Sequence, residues 1–144
     1  MNRTPNSWKS QLWYPYMAES FKMILMSPGF VFDQDTHTTY ASISASELAT
    51  GNGYTAGGLT LTGMARSTNN VDDRCEIVWN NATWTASGGA LAASGAIIYM
   101  VKAAGGIYEL TNPVVSYKDA NGTITATDGT PIIVSALMET IENA

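Results

Sequence analysis

Residues 74–85 read RCEIVWNNATWT. Cys75, Ile77 and Trp79 recur at every second position from Arg74 to Trp79, the period that puts apolar side chains on one face of a strand. Asn80-Asn81 carries turn chemistry, and Thr83-Trp84-Thr85 resumes a β-rich pattern, so the stretch predicts a hairpin-like pair of strands.

On its N-terminal side, residues 45–63 (ASELATGNGYTAGGLTLTG) join a short acidic segment to a glycine-dense turn and then to an alternating strand around Leu59, Leu61 and Met64. Gly51, Gly53, Gly57 and Gly58 permit positive φ or close backbone approach, which other residues resist. The stretch reads as assembly architecture and lacks the polar machinery of an active site. Before it, Thr39–Leu48 predicts a weak strand ending in an acidic turn, and Gly29–Tyr40 (GFVFDQDTHTTY) a polar loop flanked by aromatics. Ser20–Met26 (SFKMILM) alternates and then becomes continuously apolar, as a buried first core strand does, and Pro28-Gly29 stops it.

On the C-terminal side, Gly88–Lys102 predicts a bend leading into a central strand, with Ile97–Val101 its β-rich part and Gly95 breaking any helical reading. Tyr108–Leu110 and Pro113–Tyr117 are strand-like, and Asp119-Ala120-Asn121-Gly122 predicts a hairpin turn into Thr123–Thr127. Asp128-Gly129 turns again into Pro131–Ser135, a final core strand, and Leu137–Ala144 is expected to form a helical turn or to fray.

About eight short strands at intervals of roughly 8–12 residues predict an all-β fold, an antiparallel β-sandwich or jelly-roll-like body with an N-terminal arm. The expected organisation is an aromatic docking arm over residues 1–18, a β-sandwich domain over 19–136 and a C-terminal tail over 137–144. The arm holds Trp8, Trp13, Tyr14 and Tyr16 around Pro5 and Pro15, a density that no regular pattern explains. Two readings stand: these rings cap the domain's own core, or they anchor a partner, since Trp and Tyr dominate interface hot spots. Exposed rings of this kind also stack on sugars.

The chain of 144 residues is long enough for one domain with a real core. Charged residues make up 13% of it, against about 25% in ordinary domains, and such a surface suits burial against partners. The net charge of −5 is uneven: residues 1–22 carry three basic residues against Glu19, and the remainder carries four basic against eleven acidic residues. An acidic body with scattered Lys and Arg argues against nucleic acid as a partner. No apolar run is long enough for a membrane span, and MNRTPNSWKS lacks a signal-peptide core, so synthesis in a cytoplasm is expected. The sequons at Asn2, Asn81 and Asn121 then read as chance matches.

No residue set predicts catalysis, a cofactor or a metal. His37 is the lone histidine, and beside Asp33 and Asp35 it reads as a solvated loop residue; GxSxG is absent. Cys75, the single cysteine, reads as a small buried hydrophobe. Asp72-Asp73 has no EF-hand spacing, and the glycine cluster matches neither GxGxxG nor a P-loop.

The ordered series Asp33, Asp35 and His37; Ser44–Glu47; Gly53–Gly58 (GYTAGG); Trp79–Thr83; and Ala96–Tyr99 resembles small structural proteins encoded by tailed bacteriophages. The resemblance covers about residues 20–135 and rests on the order of the motifs. It departs at both ends, where the aromatic arm replaces an amphipathic N-terminal helix and the tail after Ser135 is extended. It implies a non-enzymatic virion component: a head decoration or cement protein bound to the major capsid protein, homo-oligomeric on the virion, without cofactor, nucleic acid or membrane. Trp8, Trp13, Tyr14 and Tyr16 are then the expected docking residues. The alternative it leaves open is a head-fibre, neck or tail component that binds a receptor or glycan.

Overall fold

In a computed structural model, residues 5–140 are described, with the backbone alone for 137–140. Asn2, Arg3 and the end of the expected tail, residues 141–144, lie outside them. The described chain is all-β and antiparallel. Its strands are β1 (Ser20–Met26), β2 (Leu59–Thr60), β3 (Ala65–Asn69), β4 (Arg74–Val78), β5 (Ala82–Thr85), β6 (Leu91–Val101), β7 (Val114–Ala126), β8 (Pro131–Val134) and β9 (Leu137–Thr140). They form sheets ordered β2-β1-β6-β7, β3-β4-β9 and β5-β8. Two short helices, α1 (Asn6–Leu12) and α2 (Tyr40–Ile43), complete the fold.

β1 occupies the span its alternation predicts and pairs along its whole length with β6, from Ser20↔Val101 to Met26↔Gly95. Both strands are covered on two faces, which explains their near-continuous apolar runs. Phe21, Met23 and Leu25 of β1, with Ala96, Ile98 and Met100 of β6, point into the main core among Trp79, Trp84, Ile77 and Cys75. Ile24, Met26, Ile97 and Tyr99 point the other way, onto Ile43, Phe30, Phe32 and Tyr40. Burying each such side chain contributes about 1.5–3 kcal/mol, so these two strands anchor the domain.

Residues 74–85 do not form the expected hairpin. β4 pairs with β9, from Cys75↔Thr140 to Val78↔Leu137, and β5 pairs with β8, from Ala82↔Val134 to Thr85↔Pro131. Between the two ladders the Trp79 N–H donates to the Ala136 carbonyl at 2.8 Å. The stretch is thus a single extended run lying against 131–140. Trp79, Asn80 and Asn81 face only Ser135 and Ala136 across the join, one extra residue on one side, as in a β-bulge. Asn80 is drawn away to Thr62, to which its backbone N–H donates at 2.9 Å and its side-chain amide at 3.2 Å. The same pairing corrects the tail where it is described: Leu137–Thr140 is a strand in register with β4, not a helical turn.

Asp119-Ala120-Asn121-Gly122 is not a hairpin turn either, but lies inside β7. β6 is long enough to pair with both limbs, Leu91–Ala93 with Ile124–Ala126 and Gly95–Tyr99 with Val114–Asp119. The intervening residues loop out, four of them against Ser94 alone. Asn121 reaches φ 54° and Gly122 φ 135°, and the Asp119 carboxylate accepts the Asn121 N–H at 2.8 Å. Tyr108–Leu110, expected as strand, makes only an isolated bridge, Gly105↔Tyr108.

Thr39–Leu48 also departs from expectation, forming α2 and a 3₁₀ turn at Ser44–Ser46. The reason is local. The Thr39 N–H donates to the Ser42 hydroxyl at 3.2 Å, which donates in turn to the Thr39 carbonyl at 2.7 Å, and the Ser44 hydroxyl donates to the Ala41 carbonyl at 3.3 Å. Serine side chains that bond nearby backbone compete with a strand ladder and here displace it.

Candidate functional site: an anchored aromatic face and a buried carboxylate

α1 follows Pro5, whose carbonyl accepts the Trp8 and Lys9 N–H groups at 3.0 and 3.1 Å. The helix lies against β3 and β4 and is fastened there by three contacts. The Lys9 ammonium, wholly buried, donates to the Asp73 carbonyl. Arg66 donates to the Ser10 carbonyl at 2.7 Å, and the Asn6 amide donates to Asn70 at 3.0 Å. A buried lysine that donates to a backbone carbonyl spends its aliphatic stem as packing area, so α1 is held as part of the body.

The structure divides the expected docking residues into two pairs. Trp13 and Tyr16 are partly buried against the main core, with ring centroids 5.4 Å apart, and Tyr16 meets Tyr108 edge-on at 5.9 Å. Below them the Lys102 ammonium sits 4.7 Å over the Tyr108 ring and, with the Tyr108 hydroxyl, donates to Glu19 Oε1 at 2.9 and 2.8 Å. These two bonds, that from Lys102 first, hold the Glu19 carboxyl below its usual range. Trp8 and Tyr14 instead stand 59% and 67% exposed, and Leu12, one helical turn beyond Trp8, is 44% exposed. The Arg66 guanidinium lies 5.5 Å over the Tyr14 ring and holds it outward. Leu12 escaped the sequence reading because it is a single aliphatic among aromatics. Its spacing of four from Trp8 was the signal that could have found it.

A second constellation, which the sequence reading did not predict, is built on Glu47. The GYTAGG loop passes between β1 and β5 at close quarters: a Cβ on Gly58 would lie 2.0 Å from the Met23 carbonyl oxygen, and one on Gly53 2.2 Å from that of Thr85. Between these two contacts Tyr54 enters the core. Its hydroxyl donates to Glu47 Oε1 at 2.6 Å and accepts the Leu25 N–H at 3.1 Å. Gly57 N–H also donates to Oε1 at 2.6 Å, and the Tyr40 hydroxyl donates to Oε2 at 2.7 Å. Tyr99 stacks on Tyr40 at 4.7 Å and donates to the Gly57 carbonyl at 3.0 Å. Glu47 is 9% exposed, and both of its oxygens receive donors from the chain around it. Burial, and then the bond to Glu47, raise the Tyr54 hydroxyl and push that of Tyr40 up to about 12; burial and the Glu47 charge raise Tyr99. The carboxylate clasps the glycine loop onto β1.

Asp33, Asp35 and His37 form a turn closed on itself. The His37 N–H donates to the Asp33 carbonyl at 2.9 Å, and His37 Nδ1 accepts the Asp33 N–H at 3.0 Å. The imidazole stacks on Phe30 at 5.2 Å and meets Phe32 at 5.7 Å. Among the described residues no group of three or more His, Cys, Asp or Glu is placed to hold a metal ion. Cys75 is fully buried, as the alternation predicts. An apolar cleft of about 420 Å³ opens where β8 diverges from β7, floored by Ala93, Gly95 and Ala96 and walled by Ile124, Ile132 and Val134. No described helix is long and apolar enough to cross a membrane.

A scan against protein-family models finds no match, and searches against curated proteins and against solved structures find none either.

Proposed function

We propose that this protein is a structural component of a tailed-bacteriophage virion, a decoration protein that binds the major capsid shell without catalysing a reaction. The observation that carries the reading is the outward face of the N-terminal arm, where Trp8 and Leu12 of α1 and Tyr14 of the 3₁₀ turn that follows it stand exposed, with α1 fastened by Lys9 and Arg66. Large apolar rings held rigidly in solvent lose little conformational freedom on docking, and aromatic anchors carry most of the energy of interfaces. The ordered motif series from Asp33 to Tyr99 and the sparse charge support the virion assignment. On a shell whose subunits are already fixed, many copies of a modest contact add through avidity.

The test is occupancy on purified capsid shells, read by quantitative staining. The full chain binds in hundreds of copies per particle, whereas a chain carrying Trp8→Ala and Tyr14→Ala stays folded and does not bind. Undiminished occupancy by that variant would refute the docking face. A handful of copies per particle would move the protein to a fibre, neck or tail position.

A further inference from the structure

We propose that Asn121 is a site of spontaneous deamidation, left open by the folded chain while the other Asn-Gly pair, Asn52-Gly53, is protected. An asparagine followed by glycine is the sequence most prone to this reaction, because no side chain hinders the attacking nitrogen. The Gly122 amide nitrogen, having given up its proton, bonds to Asn121 Cγ, and the Cγ–Nδ2 bond breaks to release ammonia. Water then opens the succinimide at either carbonyl. The product is aspartate, or an isoaspartyl link in which the chain runs through the former side chain. No oxidant or reductant takes part.

The two pairs differ in what holds them. Asn121 is exposed on the outward loop of β7, and nothing lies within 4 Å of where a Gly122 Cβ would stand. Among the described residues its carboxamide has no hydrogen-bond partner, and its backbone N–H donates to the Asp119 carboxylate. Asn52 is also exposed, yet its amide donates to the Ala90 carbonyl at 3.0 Å and its own carbonyl accepts the Ser87 N–H at 3.0 Å. The backbone at Gly53 is closely packed, with a Cβ there meeting the Thr85 carbonyl oxygen at 2.2 Å, which leaves little room for the rearrangement that ring closure needs.

The bulge also makes the product tolerable. An isoaspartyl link adds one backbone carbon, and the loop that sets Ala120–Thr123 against Ser94 absorbs it without shifting the β6–β7 register on either side. The result is a new negative charge beside Ala120, at the wall of the apolar cleft.

The full chain is incubated at mildly alkaline pH in heavy-oxygen water, once folded and once unfolded in urea, then digested and mapped by tandem mass spectrometry. The expected result is label and isoaspartate at Asn121 at rates that agree within about twofold between the two conditions, while folding slows Asn52 by about tenfold or more. Asn121→Gln removes the first signal and leaves the second unchanged. Equal labelling of the two sites in the folded chain, or protection of Asn121 as strong as that of Asn52, overturns the proposal.

Discussion

Tyr54 and Glu47 meet in the interior at 2.6 Å, hydroxyl to carboxylate, and this contact joins the glycine loop to the first core strand, because the same hydroxyl accepts the Leu25 N–H. A buried carboxylate is tolerable only when donors surround it, and here Tyr54, Tyr40 and Gly57 do so.

Removing the acceptor strands three donors at once. Glu47→Ala is expected to destabilise the domain by about 3 kcal/mol or more, and Tyr54→Phe by about 2 kcal/mol, because each leaves buried partners unmade. Urea unfolding followed by tryptophan fluorescence measures both, and a Glu47→Ala midpoint equal to that of the unaltered chain removes the clasp.

The tyrosines predict a base-labile fold. Tyr40 titrates near 12 in the folded chain and about 10 when unfolded, so its neutral form is the one that folding favours. The sign follows: this contribution is complete below about pH 10 and is lost as pH rises from there toward 12. Unfolding free energy measured across that window declines, and Tyr40→Phe flattens the decline. A profile that stays level to pH 12 contradicts the assignment.

Gly58 and Gly129 both have positive φ, +74° and +81°, but only Gly58 is also crowded. Gly129→Ala is expected to cost about 1 kcal/mol for its backbone strain alone. Gly58→Ala must in addition push the loop off Met23 and is expected to cost more than about 3 kcal/mol, or to prevent folding. Equal effects in thermal melts would mean that the loop does not pack on β1.

Within the arm, stability and docking should separate. Trp13→Ala or Tyr16→Ala removes rings packed on the core and lowers stability by about 2 kcal/mol. Trp8→Ala or Tyr14→Ala falls within about 0.5 kcal/mol of the unaltered chain, since both rings stand largely in solvent. Chemical unfolding of the four variants checks the division, and a large loss from Trp8→Ala counts against a free docking face.

The strands were legible where burial repeats every second residue. Ser20–Met26 and Arg74–Val78 stand where their patterns predict, because one-sided or two-sided burial writes itself into local sequence. What local sequence does not write is the partner. Asn80-Asn81 and Asp119–Gly122 offer short polar residues and glycine, which suit a chain reversal and a bulge equally well. The outcome was decided by 131–140 and by the eleven-residue β6, each long enough to pair with both flanks. The weak strand expected over Thr39–Leu48 fails for a related reason: the hydroxyls of Ser42 and Ser44 satisfy the backbone of a helical turn. Of the proposed docking surface, the sequence shows the aromatic cluster but not which rings turn inward. That depends on Lys9 reaching Asp73, a contact 64 residues away in sequence. Glu47 passed for one acid in a turn because its tyrosine donors, Tyr40 and Tyr54, lie seven residues to either side and converge on it only once α2 and the glycine loop have folded.

The pairing of 74–85 with 131–140 imposes an order on synthesis. A nascent chain threads out from its amino end, and until 131–140 have left the ribosome β4 has only β3 beside it, while β5, which carries Trp84, lacks the β8 strand it pairs with. Closure of this part of the fold therefore waits for a segment distant in sequence, and such non-local pairing is slow to form and leaves apolar strand surface uncovered until it does.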